Sequence, residues 1–176
     1  ATELAFREAG DSEKILPSAH IFQRTEVTVF EAVVYSPVIC LILQGRKEMN
    51  VGQQFVELRE GDVLLVSHDL PVASKITQAS TERPYQALIF SLDLSILRGL
   101  YEQVGEAVSH KDHATSLSAS KADPAWIMPM VRYLELMNTP IDARVLGPMI
   151  LKEVHYRLLL SPIGGMLRNL LSVDSH

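Results

Sequence analysis

Residues 36–47 read S-P-V-I-C-L-I-L-Q-G-R-K, residues 57–72 read E-L-R-E-G-D-V-L-L-V-S-H-D-L-P-V, and residues 80–92 read S-T-E-R-P-Y-Q-A-L-I-F-S-L. Each stretch holds one apolar run of strand length, bounded by Pro or Gly and rich in Val, Ile or Leu, which is the signature of β-structure. Val63-Leu64-Leu65-Val66 is apolar at every position, so this strand is covered on both faces or turns one face to a filled lumen. The same grammar extends outward. Strands are expected over His20–Arg24, Val27–Tyr35, Val38–Gln44, Lys47–Val51, Gln54–Leu58, Asp62–Ser67, Val72–Ile76 and Tyr85–Leu92. Val51-Gly52-Gln53-Gln54 sits at hairpin distance between two of them, and Glu60-Gly61-Asp62 reverses the chain before another. Pro37, Pro71 and Pro84 fall at strand edges, where a missing N–H does least harm.

From Asp93 the period becomes helical. Asp93 is a cap for a helix with Leu94, Leu97, Leu100, Tyr101, Val104 and Val108 on its apolar side. Ser109–Lys121 is polar and reads as a loop. Asp123-Pro124 is a cap followed by Pro at the first helical position, ahead of a helix with Ile127, Met130, Val131, Leu134 and Met137 on one side. Pro129 predicts a kink or a later start, and Gly147-Pro148 does the same for the next segment. That segment ends before Pro162, and Gly164-Gly165 opens a last short helix over Met166–Leu171.

Composition narrows the function classes. The 176 residues carry a formal net charge of −5, and hydrophobic residues make up 47% against 6% aromatics. A chain of this length buries roughly 70% of its unfolded surface, so its core is built from aliphatic side chains. An acidic balance disfavours direct binding of nucleic acid, which needs a basic face. No apolar run approaches the roughly 18 residues of a membrane span, and residues 1–10 do not read as a signal peptide. Cys40 is the one cysteine, which excludes an intramolecular disulfide and fits a cytoplasmic setting.

Catalytic chemistry finds little footing. The six histidines are His20, His68, His110, His113, His155 and His176, and only His110 and His113 are close together, without a third ligand at a defined spacing. No cofactor or metal is expected. Cys40 lies in an apolar strand and lacks the cationic neighbours that make a thiolate. There is no nucleophile elbow and no phosphate-binding Gly-rich loop. Arg46-Lys47 reads as a solvated basic pair.

The expected site is instead a binding site, lined by strand residues and the mouth they form: Tyr35, Cys40, Ile42, Gln44, His68, Tyr85 and Gln86. Strand alternation leaves the inward and outward faces undecided. The aliphatic content of the strands favours an apolar or amphipathic ligand. The segment Pro148–Leu160 is apolar over more than one stripe. Ile150, Leu151, Val154, Leu158 and Leu159 are the candidate contacts of a homodimer, with packing against the 126–137 helix as the other reading.

In order, P-V-I-C-L-I-L-Q-G-R-K, E-G-D-V-L-L-V-S-H-D-L-P-V, E-R-P-Y-Q-A-L and L-K-E-V-H-Y-R-L-L-L-S-P-I-G-G-M-L-R resemble the N-terminal effector domain of AraC-type transcription regulators, over about Ala19–Leu171. The resemblance implies an α+β fold, a cupin-like β-barrel of the double-stranded β-helix type, followed by a small helical segment. It implies a barrel with its closing helix over 1–108 and a linker with dimerisation and signal-relay helices over 109–176. It further implies a small-molecule effector, a homodimer, and DNA contact only through helix-turn-helix motifs for which no room is seen after Leu171. The paired histidines of catalytic cupins have no counterpart, since Arg46-Lys47-Glu48-Met49-Asn50 follow the first Gly turn. The alternatives are a metal-free cupin-like isomerase or hydrolase, and a stand-alone binding protein.

Overall fold

The alternating runs do become strands. The structure is a computed structural model and describes residues 11–105 and 117–174. Ten strands form: β1 (Asp11–Leu16), β2 (Ala19–Arg24), β3 (Glu31–Tyr35), β4 (Val38–Gln44), β5 (Arg46–Val51), β6 (Gln54–Leu58), β7 (Asp62–Val66), β8 (Leu70–Gln78), β9 (Tyr85–Ser91) and β10 (Leu117–Lys121). Four α-helices accompany them: α1 (Leu94–Val104), α2 (Pro124–Glu135), α3 (Pro140–Leu160) and α4 (Gly165–Asp174).

The strands pair antiparallel into a six-stranded sheet, β1-β2-β9-β4-β7-β10, and a four-stranded sheet, β3-β8-β5-β6. Their inward residues meet in one core. Phe22, Cys40, Ile42, Leu64, Tyr85 and Ile89 come from the larger sheet, and Val33, Tyr35, Met49, Leu58, Val72 and Ile76 from the smaller. The expected closed barrel is therefore a pair of facing sheets with separate edges, at β1 and β10 in one and at β3 and β6 in the other. Face-to-face packing buries alternate side chains without edge-to-edge hydrogen bonding. β7 is buried at each position from Val63 to Val66, as its unbroken apolar run requires.

Two strands lie outside the expected set. β1 (D-S-E-K-I-L) and β10 (L-S-A-S-K) are polar edge strands. They are held by main-chain pairing, with Ser12 opposite Phe22 and Ser120 opposite Val63. Residues 117–121, expected as part of a loop, are a strand for that reason.

The chain forms two compact units. The sheet unit holds β1 to β9 and recovers Leu117–Ala122, which carries β10. The helical unit takes α1 and then α2 to α4. Asp93 caps α1 by accepting from the N–H groups of Ser95 (2.9 Å) and Ile96 (3.2 Å). Asp123 caps α2 through Ala125 N–H at 2.9 Å. Neither internal proline ends its helix. α2 runs through Pro129, and α3 continues for 21 residues through Pro148. Each proline forfeits one main-chain bond. At the C-terminal end of α3, buried Arg168 from α4 donates to the carbonyls of Leu159 and Ser161, both at 2.8 Å. A guanidinium there satisfies carbonyls that the helix leaves over and complements its dipole.

Candidate ligand site

Three crossovers between the two sheets meet at one end of the sheet unit. β4 passes to β5 through Gly45, β6 to β7 through Arg59–Gly61, and β8 to β9 through residues 79–84. They enclose a cavity of about 350 Å³. Gln44, Gly45 and Arg46 come from the first crossover, Arg59 and Glu60 from the second, and Gln78, Ala79, Ser80 and Arg83 from the third.

Local hydrogen bonds fix each wall. Arg59 N–H donates to the Asp62 carboxylate at 2.8 Å, and Asp62 N–H returns to the Arg59 carbonyl at 2.9 Å. Ser80 and Arg83 close the third crossover, with Arg83 N–H donating to Ser80 Oγ (2.9 Å) and Ser80 N–H to the Arg83 carbonyl (3.0 Å). Gln44 Nε2 donates to the Pro84 carbonyl at 2.7 Å, tying the first wall to the third. Gly45 has φ +88°, and a Cβ there would lie 2.5 Å from the Gln78 carbonyl oxygen and 3.1 Å from Tyr85 Cα. Only glycine permits that backbone and that approach.

Lys47 enters the core behind this wall. The residue read as solvated is 0% exposed, and its Nζ donates to the Tyr35 hydroxyl. The ammonium also lies 5.9 Å from the Tyr85 ring centroid, within range for a cation over an aromatic face; at Tyr35 it meets the hydroxyl end of the ring. The signal was present in the sequence: Lys47, Met49 and Val51 alternate with Glu48 and Asn50, so a strand that buries Met49 also turns Lys47 inward.

The expected lining residues separate. Tyr35, Cys40, Ile42 and Tyr85 face the shared core. Gln44 lines the cavity. Gln86 falls on the opposite face of β9 from Tyr85 and Ala87, where its Nε2 donates to Gln23 Oε1 at 2.9 Å. His68 follows β7 at the end away from the cavity and is exposed, with Nδ1 3.1 Å from Ser67 Oγ. The cavity arginines Arg46, Arg59 and Arg83 were not among the expected residues: Arg46 opens β5 beside the Gly45 turn, and Arg59 and Arg83 lie between strands, where no periodicity marks them.

In the helical unit, His155 is fully buried. Its Nε2 accepts from Asp93 N–H at 2.9 Å, and Nδ1 lies 2.7 Å from the Leu151 carbonyl. Nε2 must therefore be unprotonated, and Nδ1–H donates to Leu151. Burial pushes its pKa below the ordinary 6.5, against smaller opposing effects of the Leu151 hydrogen bond and the Asp93 charge. Of the expected dimer contacts, Val154, Leu158 and Leu159 are buried, and Ile150 and Leu151 are half-buried.

Among the described residues no cluster of three or more His, Cys, Asp or Glu could hold a metal ion. His110, His113 and His176 lie outside the described residues. No described helix is long and apolar enough to cross a membrane.

The profile of the family described as "AraC-type transcriptional regulator N-terminus" matches residues 15–166. No curated protein matches the chain. Among solved structures, apo ToxT K231A from Vibrio cholerae is similar at TM-score 0.54 and 11% identity, covering 83% of this chain and 55% of that one. The AraC-like transcriptional activator CuxR is similar at TM-score 0.51 and 13% identity, covering 93% and 62%. Unsaturated fatty acid bound wild-type ToxT is similar at TM-score 0.51 and 10% identity, covering 77% and 49%. The chain thus spans about half to three-fifths of the length of these regulators, and at such identities the likeness is one of fold.

Proposed function

The chain belongs to the AraC-type transcriptional regulators, whose N-terminal domain it matches over residues 15–166, and from that premise we propose that it senses a small molecule and pairs with a second copy of itself. Family membership supports this reading over an isomerase, a hydrolase or a stand-alone binding protein, because the part matched is the N-terminal region of a transcriptional regulator. DNA contact in this reading is made by a separate region of a regulator, and the cytoplasm is where it acts. The observation that carries the proposal is the cavity formed by the three crossovers. Its volume falls at the lower end of the range for small-molecule sites.

A route for the signal follows the chain. The third cavity wall, residues 79–84, continues directly into β9. β9 leads to Asp93, whose side chain caps α1 and whose N–H is held by His155 of α3. A ligand that draws on Ser80 or Arg83 therefore acts on a strand that ends at a helix cap. The ligand can shift the helices only by as much as its affinity differs between their arrangements.

Self-association falls to the outer face of α3. Ile141, Val145 and Met149 recur at intervals of four and are 62%, 59% and 65% exposed, so they form one apolar stripe. A second copy presenting the same stripe would cover it, as a two-fold pairing requires.

The test is a thermal-unfolding screen against small metabolites, followed by hydrogen exchange of 124–160 with and without the best ligand. A sensor gains stability that rises with ligand concentration and changes its exchange in α2 and α3. A ligand that stabilises the sheet unit yet leaves exchange over 124–160 unchanged would reduce the domain to a binding module.

A further inference from the structure

We infer that the cavity at the three crossovers is an anion site for the phosphate group of a small, hydroxyl-bearing molecule; the inference rests on the sensing reading above and gives its ligand a chemical class. The chain as a whole is acidic, with a net charge of −5. Yet the lining of this cavity includes three arginines, Arg46, Arg59 and Arg83, against a single acidic residue, Glu60. Each arginine comes from a different crossover, so their convergence is a product of the fold and not of a basic run in the sequence. Among the described residues, Arg59 is engaged with Glu57 at 3.4 Å outside the lining. Among the described residues no ion pair occupies Arg46 or Arg83. Concentrated positive charge in a concave site on an acidic protein focuses the field on an incoming anion.

The donor type narrows the anion. Guanidinium groups present a planar fork that matches phosphate and carboxylate oxygens two at a time. Two arginines free of ion pairs suit the two negative charges of a phosphate monoester better than the single charge of a carboxylate. About 350 Å³ exceeds what a bare phosphate fills, and the remaining wall mixes Gly45 and Ala79 with polar side chains. Gln44, Gln78, Ser80 and Glu60 offer amide, hydroxyl and carboxylate groups, the partners that sugar-like hydroxyls take. The aliphatic side chains fill the core, and the cavity is made by the turns.

Isothermal titration of the 176-residue chain with ribose 5-phosphate, inorganic phosphate and ribose, at one ionic strength, tests the assignment. Ribose 5-phosphate should bind at a single site, inorganic phosphate more weakly, and ribose not measurably. Arg46→Ala and Arg83→Ala should each weaken ribose 5-phosphate by about tenfold or more, as loss of a charge-assisted pair does. Arg46→Lys should fall between, because the charge stays and the fork is lost. Arg144→Ala, exposed on α3, should change nothing. Silence with both phosphates, equal binding of both, or affinity that survives both alanine variants overturns the inference. If neither phosphate binds but a neutral metabolite stabilises the chain and alters exchange over 124–160, the anion site fails and the sensor stands. If ribose 5-phosphate binds through Arg46 and Arg83 and that exchange stays constant, the anion site stands and the sensing proposal fails.

Discussion

At the scale of single residues, Gly45 and His155 constrain the molecule most sharply. Gly45→Ala places a methyl group 2.5 Å from the Gln78 carbonyl at φ +88°. The backbone alone costs about 1–3 kcal/mol, and the clash adds to it, so the variant should unfold at clearly lower denaturant. A change within about 0.5 kcal/mol, the range of a neutral surface substitution, would mean that the crossover has room to move. For His155 the sign follows from its environment. Burial holds its folded pKa below 6.5, so the unfolded chain binds the proton more readily. The histidine's contribution is complete above about pH 6.5 and is lost as pH falls through the folded value. Helical circular dichroism during thermal unfolding should show the midpoint dropping between about pH 7 and pH 5, and His155→Gln should flatten that slope. An equal slope in the variant would place the titration elsewhere. Neither residue announced itself in the sequence. Gly45 could be read as a turn, but its contact with β8 and β9 is long-range, and His155 looks like any polar residue on an apolar helix.

Among the elements, strands with an unbroken or alternating apolar pattern were legible and those without it were not. All eight expected strands form, with ends shifted by at most four residues; Val38–Gln44 and Gln54–Leu58 match at both ends, and the start of β3 moves most, from Val27 to Glu31. Thr28 still bridges to the smaller sheet, since its N–H donates to the Ile76 carbonyl and its Oγ1 accepts from Ile76 N–H, at 2.9 and 3.0 Å. β1 and β10 escaped because an edge strand needs main-chain pairing and not an apolar face. The helix caps at Asp93 and Asp123 were legible from residue type alone. The burial of α3 was not, because it is apolar on more than one side, and composition cannot tell the covered side from the open one. That ambiguity gives an expected outcome. Ile141→Asp combined with Met149→Asp should shift sedimentation toward a single copy and leave the unfolding midpoint nearly unchanged. Leu158→Ala should instead cost about 2–5 kcal/mol of stability, as truncation of a buried Leu does. A double variant that sediments as the parent would exclude the Ile141–Val145–Met149 stripe as the contact.

For the molecule as a whole, the path of the chain through its two compact units is the feature that composition hides. The chain leaves the sheets after Ser91, builds α1, returns to lay down Leu117–Lys121, and only then enters α2. A reading by composition assigns such a returning strand to the linker around it. The candidate site was legible in part for the same reason: Gln44 ends an apolar strand, whereas Arg46, Arg59 and Arg83 are far apart in sequence and share a cavity only once three separated crossovers are brought together. The late return of β10 also bears on the order in which the protein is made. When synthesis has reached the end of β9, the Val63–Val66 strand has its partner on one side, β4, and its other edge is bare until residue 121 has been added. At ribosomal speeds that interval lasts seconds, during which an apolar strand offers open N–H and C=O groups to any neighbouring nascent chain. A polypeptide ended at Ser91 should therefore pass into the insoluble fraction while the 176-residue chain stays in solution, and a soluble, monomeric product would show that β7 is guarded by something other than its last strand.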